Sequence, residues 1–247
     1  MRPTIFAMIS HGRSGSSMLI RSLGEHSEVR AHGELFHDDE IERIRSTHKA
    51  EPYDPRESAD LFLDQLFDLG EWTWPSCIGF KLFYNQARKG PASAAWTWLH
   101  QHTDVRIIHL LRTNLFESWV SHEVAKRSGE WMLYPDERSA GTPDPFELDP
   151  HGCEDFFEWV TGQRDRIRRR FQKHPFKELE YERDLVGRWS ETIRELQGFL
   201  GLEYQEMEPV TARQRARPVA AQITNYDDLA RRWAGSPWSA FMEARSP

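Results

Sequence analysis

A three-layer α/β fold, with a central, mostly parallel sheet flanked by helices, is what this chain of 247 residues predicts. Three observations carry that expectation. Short apolar runs alternate with stretches of helical periodicity, which calls for right-handed β-α-β crossovers. Two of the runs end beside an arginine and lead straight into a helix start, at the edge where open α/β sheets bind ligands. The chain is 38% hydrophobic and 12% aromatic, enough for one substantial core, so a single domain over residues 1–247 is expected.

Ile5 to Ser10 is the first strand, followed by a Gly/Ser turn and a helix from Ser16 to Glu25. A short strand follows around Val29 to His32, then a helix from Pro55 to Leu69. Ile78 to Phe83 and Arg106 to Leu111 read as buried strands, with a helix from Ala92 to His102 between them. Asn114 is a natural cap for a helix from Leu115 to Lys126. Residues 129–152 hold Pro135, Pro143, Pro145 and Pro150 and read as a long irregular connection, of the kind that covers active sites. A helix from Glu154 to Gln172 places Phe156, Val160, Ile167 and Phe171 near one face. A strand from Phe176 to Tyr181 and a helix from Arg188 to Leu200 complete the pattern. The five arginines between Gln163 and Arg170 spread around a helix at this spacing and read as a solvated face.

The run His11-Gly12-Arg13-Ser14-Gly15-Ser16-Ser17 carries the chemistry. Between a strand and a helix, such a turn gathers backbone N–H groups and small hydroxyls at the positive end of the helix dipole, where a phosphate binds. Plain helix capping also favours these residue types. The turn is no Walker A loop, since no lysine follows Gly15 and the cation sits before it, at Arg13. A second segment agrees: Arg112 stands at a strand end, and Ser118 and Ser121 share one face of the next helix. An arginine and a serine so placed hold a second phosphate by charge-assisted hydrogen bonds. The alternative is a plain ion pair of Arg112 with Glu117 or Glu123. Two phosphate sites on one sheet edge suit a bis-phosphorylated nucleotide.

The order cation-Ser-Gly-Ser-Ser resembles the 5′-phosphosulfate loop of sulfotransferases that use 3′-phosphoadenosine-5′-phosphosulfate (PAPS). The Arg112 to Ser121 spacing is similar to the 3′-phosphate site of the bacterial enzymes of this family that act on trehalose and nodulation-factor glycans. Further blocks extend the likeness over most of the chain: His32-Gly33-Glu34-Leu35-Phe36, Gly79-Phe80-Lys81, Tyr181-Glu182-Arg183-Asp184-Leu185 and Ile223-Thr224-Asn225-Tyr226. The resemblance implies a P-loop-type version of the three-layer fold. It also implies a PAPS-dependent sulfotransferase acting on a hydroxyl of a carbohydrate or glycolipid. Arg13, Ser14, Gly15, Ser16 and Ser17 would hold the 5′-phosphosulfate, and Arg112 and Ser121 the 3′-phosphate. Glu34 would be the catalytic base, with Arg13 catalytic at the leaving phosphate and Arg217 closing over the nucleotide. His32 and His37 are the reserve bases. Trp72, Trp74, Trp119 and Trp131 offer faces for an acceptor ring. A P-loop phosphotransferase and a non-catalytic nucleotide-binding protein are the competing readings.

No metal is expected, because the cluster His32, Glu34, His37, Asp38, Asp39 and Glu40 matches no familiar ligand spacing. A net charge of −7 argues against nucleic acid or an anionic membrane as partner, and leaves room for a local cationic cleft. No apolar run is long enough to span a bilayer, no signal peptide is evident, and Cys77 and Cys153 form no disulfide framework. A cytoplasmic protein is expected, of the bacterial or cytosolic rather than the membrane-anchored Golgi type.

Overall fold

Five strands form one sheet in the order β2-β3-β1-β4-β5, and every neighbouring pair is parallel. The strands are β1 (Thr4–Ser10), β2 (Val29–Glu34), β3 (Cys77–Phe83), β4 (Arg106–Leu111) and β5 (Phe176–Glu180). The computed structural model describes residues 3–47, 53–67, 76–132, 141, 143–210 and 218–242. All five strands lie within two residues of where the sequence predicts them.

Period-two alternation divides the strands' side chains between two cores. On one face Phe6, Met8, Ile108 and Leu110 pack against Leu19 and Leu23 of α1 (Ser16–Gly24) and against Ile193 and Leu196 of α7 (Trp189–Leu200). On the other, Ala7, Ile9 and Ile107 meet four helices through Phe62, Leu99, Phe116 and Phe157. Those helices are α3 (Ala59–Phe67), α4 (Ala94–Gln101), α5 (Leu115–Ser128) and α6 (Pro150–Arg170). The three layers follow directly. Gly79 serves the centre of the sheet: a Cβ there would sit 1.9 Å from the Phe6 ring of the neighbouring strand, so only glycine admits that ring.

Several helix bounds differ from the expected ones, each for a local reason. The Asp54 carboxylate accepts from Arg56 N at 2.8 Å, a turn that holds Pro55 outside the helix, and α3 begins at Ala59. The part of that expectation beyond Phe67 lies outside the described residues. Pro91–Ser93 is a 3₁₀ turn, tied by Ser93 Oγ to the Gly90 carbonyl at 2.7 Å, ahead of α4. Helix α6 begins at Pro150 rather than Glu154. Asp149 caps it from His151 N and Gly152 N, and Pro150 occupies the first turn, where its missing N–H costs nothing. Helix α2 (Asp38–Thr47) was not expected; its acidic start, Asp38, Asp39 and Glu40, lies at the end of a helix that favours negative charge. Two further helices, α8 (Val219–Gln222) and α9 (Tyr226–Trp233), follow near the C-terminus, and Trp233 is fully buried. Among the described residues no helix is long and apolar enough to cross a membrane.

Candidate functional site

The β1–α1 turn bends through two left-handed residues, Arg13 at φ 65° and Gly15 at φ 86°. A non-glycine residue in that region stores strain, which surrounding contacts must hold. No side chain caps α1, so its first N–H groups stay available at the bend. Ser14 is completely buried, and its Oγ has no hydrogen-bond partner. An orphaned hydroxyl beside uncapped helix amides is what a phosphate oxygen would satisfy. Gly15 is fixed by its neighbour as well as its φ, since a Cβ would lie 2.4 Å from the Tyr181 ring.

Arg13 reaches across the cleft. Its Nε donates to Ser121 Oγ at 3.0 Å, and another guanidinium nitrogen donates to the Trp131 carbonyl. Burial, with repulsion from Arg112 and partly opposed by Glu130, lowers its pKa to about 10, so it stays protonated at neutral pH.

Arg112 leaves the end of β4, the strand beside β1. It donates to the Arg13 backbone carbonyl at 3.0 Å and to Glu117 Oε2 at 3.1 Å, and it lies 5.1 Å over the Tyr181 ring. The ion pair with Glu117 weighed from the sequence is therefore present. Its Nε is buried without a hydrogen-bond partner, 3.8 Å from Glu182 Oε1. The Glu182 carboxylate accepts from Thr113 N at 2.8 Å and Asn114 N at 3.1 Å, and Asn114 caps α5 as its sequence position predicts. Ser118 and Ser121 both turn toward the loop: Ser118 Oγ lies 3.0 Å from His11 Nε2, and Ser121 meets Arg13 rather than Arg112. Burial, with Arg164 and Arg112 nearby, holds the His11 pKa well below the ordinary histidine value, so the imidazole is neutral.

Glu34 ends β2, directly across from Lys81 of β3. Lys81 Nζ lies 3.1 Å from Glu34 Oε1 and 2.8 Å from Ser17 Oγ, so one ammonium joins the carboxylate to the loop. Gln86 Nε2 donates to Glu34 Oε2 at 2.7 Å. Lys81 is 3% exposed, and burial lowers its pKa while Glu34 opposes the shift. His32 turns away to Glu40, with Nδ1 3.3 Å from Oε1, and His37 is an exposed partner of Asp39. Among the described residues no three His, Cys, Asp or Glu side chains gather to hold a metal ion.

Arg13, Ser14, Gly15, Ser16, Ser17, Glu34, Arg112 and Ser121 thus share one sheet edge; Arg217, Trp72 and Trp74 lie outside the described residues. Trp119 is 5.7 Å from the His122 ring and 4.8 Å from Phe156. Sequence reasoning missed Tyr181 and Gln86. Tyr181-Glu182 entered only as one block of the resemblance, whereas both side chains brace the two arginine segments. A tyrosine at the carboxyl end of β5, level with the other strand ends, was the available signal. Asn225 clasps Leu148 just ahead of α6, at 3.1 Å to its N–H and 2.8 Å to its carbonyl.

No family model matches the chain. Nodulation protein H of Rhizobium meliloti is 24% identical to it over 98% of this chain and 96% of the relative. Its namesake in Rhizobium tropici is 23% identical over 98% and 94%. Among solved structures, a sulfotransferase from Alicyclobacillus acidocaldarius superposes with a TM-score of 0.51 at 14% identity, covering 99% of this chain and 95% of that one. The chain is thus similar to nodulation protein H over 98% of its length and shares its fold with a sulfotransferase, the fold that the sequence resemblance implies.

Proposed function

From this kinship with nodulation protein H and the sulfotransferase fold, we propose that the chain transfers the sulfuryl group of PAPS to a hydroxyl of a carbohydrate or glycolipid. The observation that carries the reading is the junction of Arg13 and Arg112 at the carboxyl ends of adjacent parallel strands, with Glu34 tied to the same loop through Lys81.

PAPS supplies an activated SO₃ group on a phosphate leaving group. The uncapped start of α1, the orphaned Ser14 hydroxyl and the hydroxyls of Ser16 and Ser17 suit the 5′-phosphosulfate, and Arg13 stabilises charge there. Arg112 and Ser121 hold the 3′-phosphate, and an Arg112 Nε that has no hydrogen-bond partner supports that role. Arg217 belongs to the same reading, as a contact from the C-terminal side. Glu34 takes the proton of the acceptor hydroxyl, with Lys81 and Gln86 fixing both carboxylate oxygens. No metal enters this scheme, because guanidinium, ammonium and backbone amides meet the growing charge. The connection between α5 and α6, which ends at Asp149 rather than at 152, is read as the cover of the site within a single domain, and Trp131, near its start, already contacts Arg13. A cytoplasmic location accompanies the reading; Cys77 and Cys153 are buried free thiols, both pushed up to about 12 by burial.

Calorimetry with 3′,5′-adenosine bisphosphate in the presence of EDTA tests the donor site. Saturable binding is expected, together with labelled-sulfate transfer from PAPS to a sugar panel. Preference for ADP with Mg²⁺ would replace this reading with phosphoryl transfer.

A further inference from the structure

The arginines of α6 do not form one solvated face. Arg164 turns inward to the Arg112 carbonyl, and Arg168 pairs with Glu178 and Asp165. Arg166 and Arg170 instead line a half-open groove of about 300 Å³ between α4 and α6, joined by Arg88 and Trp96. No carboxylate lines this groove among the described residues. The three guanidiniums bond only to neutral oxygens there: Arg88 to the Tyr84 carbonyl at 3.2 Å, Arg166 to Gln163 Oε1 at 3.2 Å, and Arg170 to the Trp96 carbonyl at 2.7 Å. Arg170 Nε is buried with no partner at all. On a chain of net charge −7, three cations left without a counter-charge in one concave wall make a local anion trap.

The groove is also joined to the proposed base. Trp96 Nε1 donates to the Gln86 carbonyl at 3.0 Å, and the Gln86 side chain holds Glu34. Guanidiniums beside an indole suit a ring that carries a tetrahedral oxyanion, the ring on the tryptophan and the oxyanion in the arginine forks.

We infer that this groove binds a sulfate or phosphate ester carried on a saccharide, as a subsite for acceptors already charged. The saccharide half rests on the carbohydrate reading above; the oxyanion half stands on the groove alone.

Calorimetry on the whole chain, saturated with 3′,5′-adenosine bisphosphate, would compare cellotetraose, cellotetraose 6-sulfate, cellotetraose 6-phosphate and inorganic sulfate. The charged sugars are expected to bind about tenfold or more tighter than neutral sugar or free sulfate. The double variant Arg88→Gln/Arg166→Gln, which alters two exposed side chains, should lose that margin and keep its affinity for the bisphosphate. Equal affinity for charged and neutral sugar, or an unchanged margin in the double variant, would overturn the proposal. Free sulfate binding as tightly as the sulfated sugar would overturn its saccharide half. If the bisphosphate itself fails to bind, the donor reading falls, and comparing wild type with the double variant still tests the groove.

Discussion

The Arg112 guanidinium donates to the backbone carbonyl of Arg13 across 3.0 Å, so the second cation holds the strained bend that carries the first. The two arginines are one unit. Arg112→Ala should therefore weaken 3′,5′-adenosine bisphosphate more than the loss of one charge predicts, by about 100-fold, taking about 1.5–3 kcal/mol for each charged hydrogen bond. Arg112→Lys keeps the charge and loses the fork that spans Arg13 and Glu117, and should recover only part of the affinity. Calorimetry on both variants decides; full recovery by lysine would mean that Arg112 acts as a point charge alone.

Glu34, the proposed base, should separate binding from transfer. Glu34→Gln keeps the side chain's size and one acceptor oxygen for Lys81, sets its NH₂ against the Gln86 donor, and accepts no proton. Bisphosphate affinity should stay within about threefold, while labelled-sulfate transfer falls by about 10²–10⁴. Transfer at the wild-type rate would move the base elsewhere.

Gly15 is constrained twice, by its positive φ and by the Tyr181 ring. Gly15→Ala should cost at least about 1 kcal/mol from the backbone alone, and more from the clash. Tyr181→Ala in the same chain removes the clash and leaves the backbone cost, so the two substitutions should be strongly non-additive in urea denaturation. Simple additivity would show that the ring yields freely to a methyl group.

Much of this was legible because the candidate site sits at strand ends. Ile5 to Ser10 and Arg106 to Leu111 announce themselves by unbroken apolar runs, and the residues just beyond them fall on one edge once the strands are parallel. Glu34 and Lys81 were visible singly, but their contact depends on the β2–β3 register across an irregularity after Ala31, which no local pattern encodes. Tyr181 was hidden for a related reason: its role is to fill the space over Gly15, a relationship between residues far apart in sequence. Helix α2 was missed because its polar surface hides the buried Ile41 and Ile44, two apolar residues in ten. The arginines of α6 looked uniform in sequence, and only the positions of Glu178 and Trp96 sort them.

Beneath the site, Tyr84, His109, Glu178 and Arg168 form a chain that sets an acid limit on stability. Burial pushes the Tyr84 phenol up, so its O–H persists and donates to His109 Nε2 at 2.7 Å. That leaves the Nδ1–H of a neutral ring to donate to Glu178 Oε2 at 3.0 Å, while Arg168 donates to both carboxylate oxygens at 2.8 and 2.9 Å. Burial disfavours the Glu178 charge, but these donors outweigh it and bring the pKa down from 4.5 to about 2. A carboxyl depressed on folding stabilises the native state above its unfolded pKa, and the gain drains away as pH falls toward the folded value. Glu178→Gln should thus cost about 1–2 kcal/mol at neutral pH, a figure reduced for the 30% exposure of this side chain. The gap between wild type and variant should hold from pH 7 to about pH 5, then narrow through the window from 4.5 toward 2. Urea denaturation of both proteins across that range measures it, and a gap that stays constant down to pH 3 would show that Glu178 owes its charge to solvent rather than to His109 and Arg168.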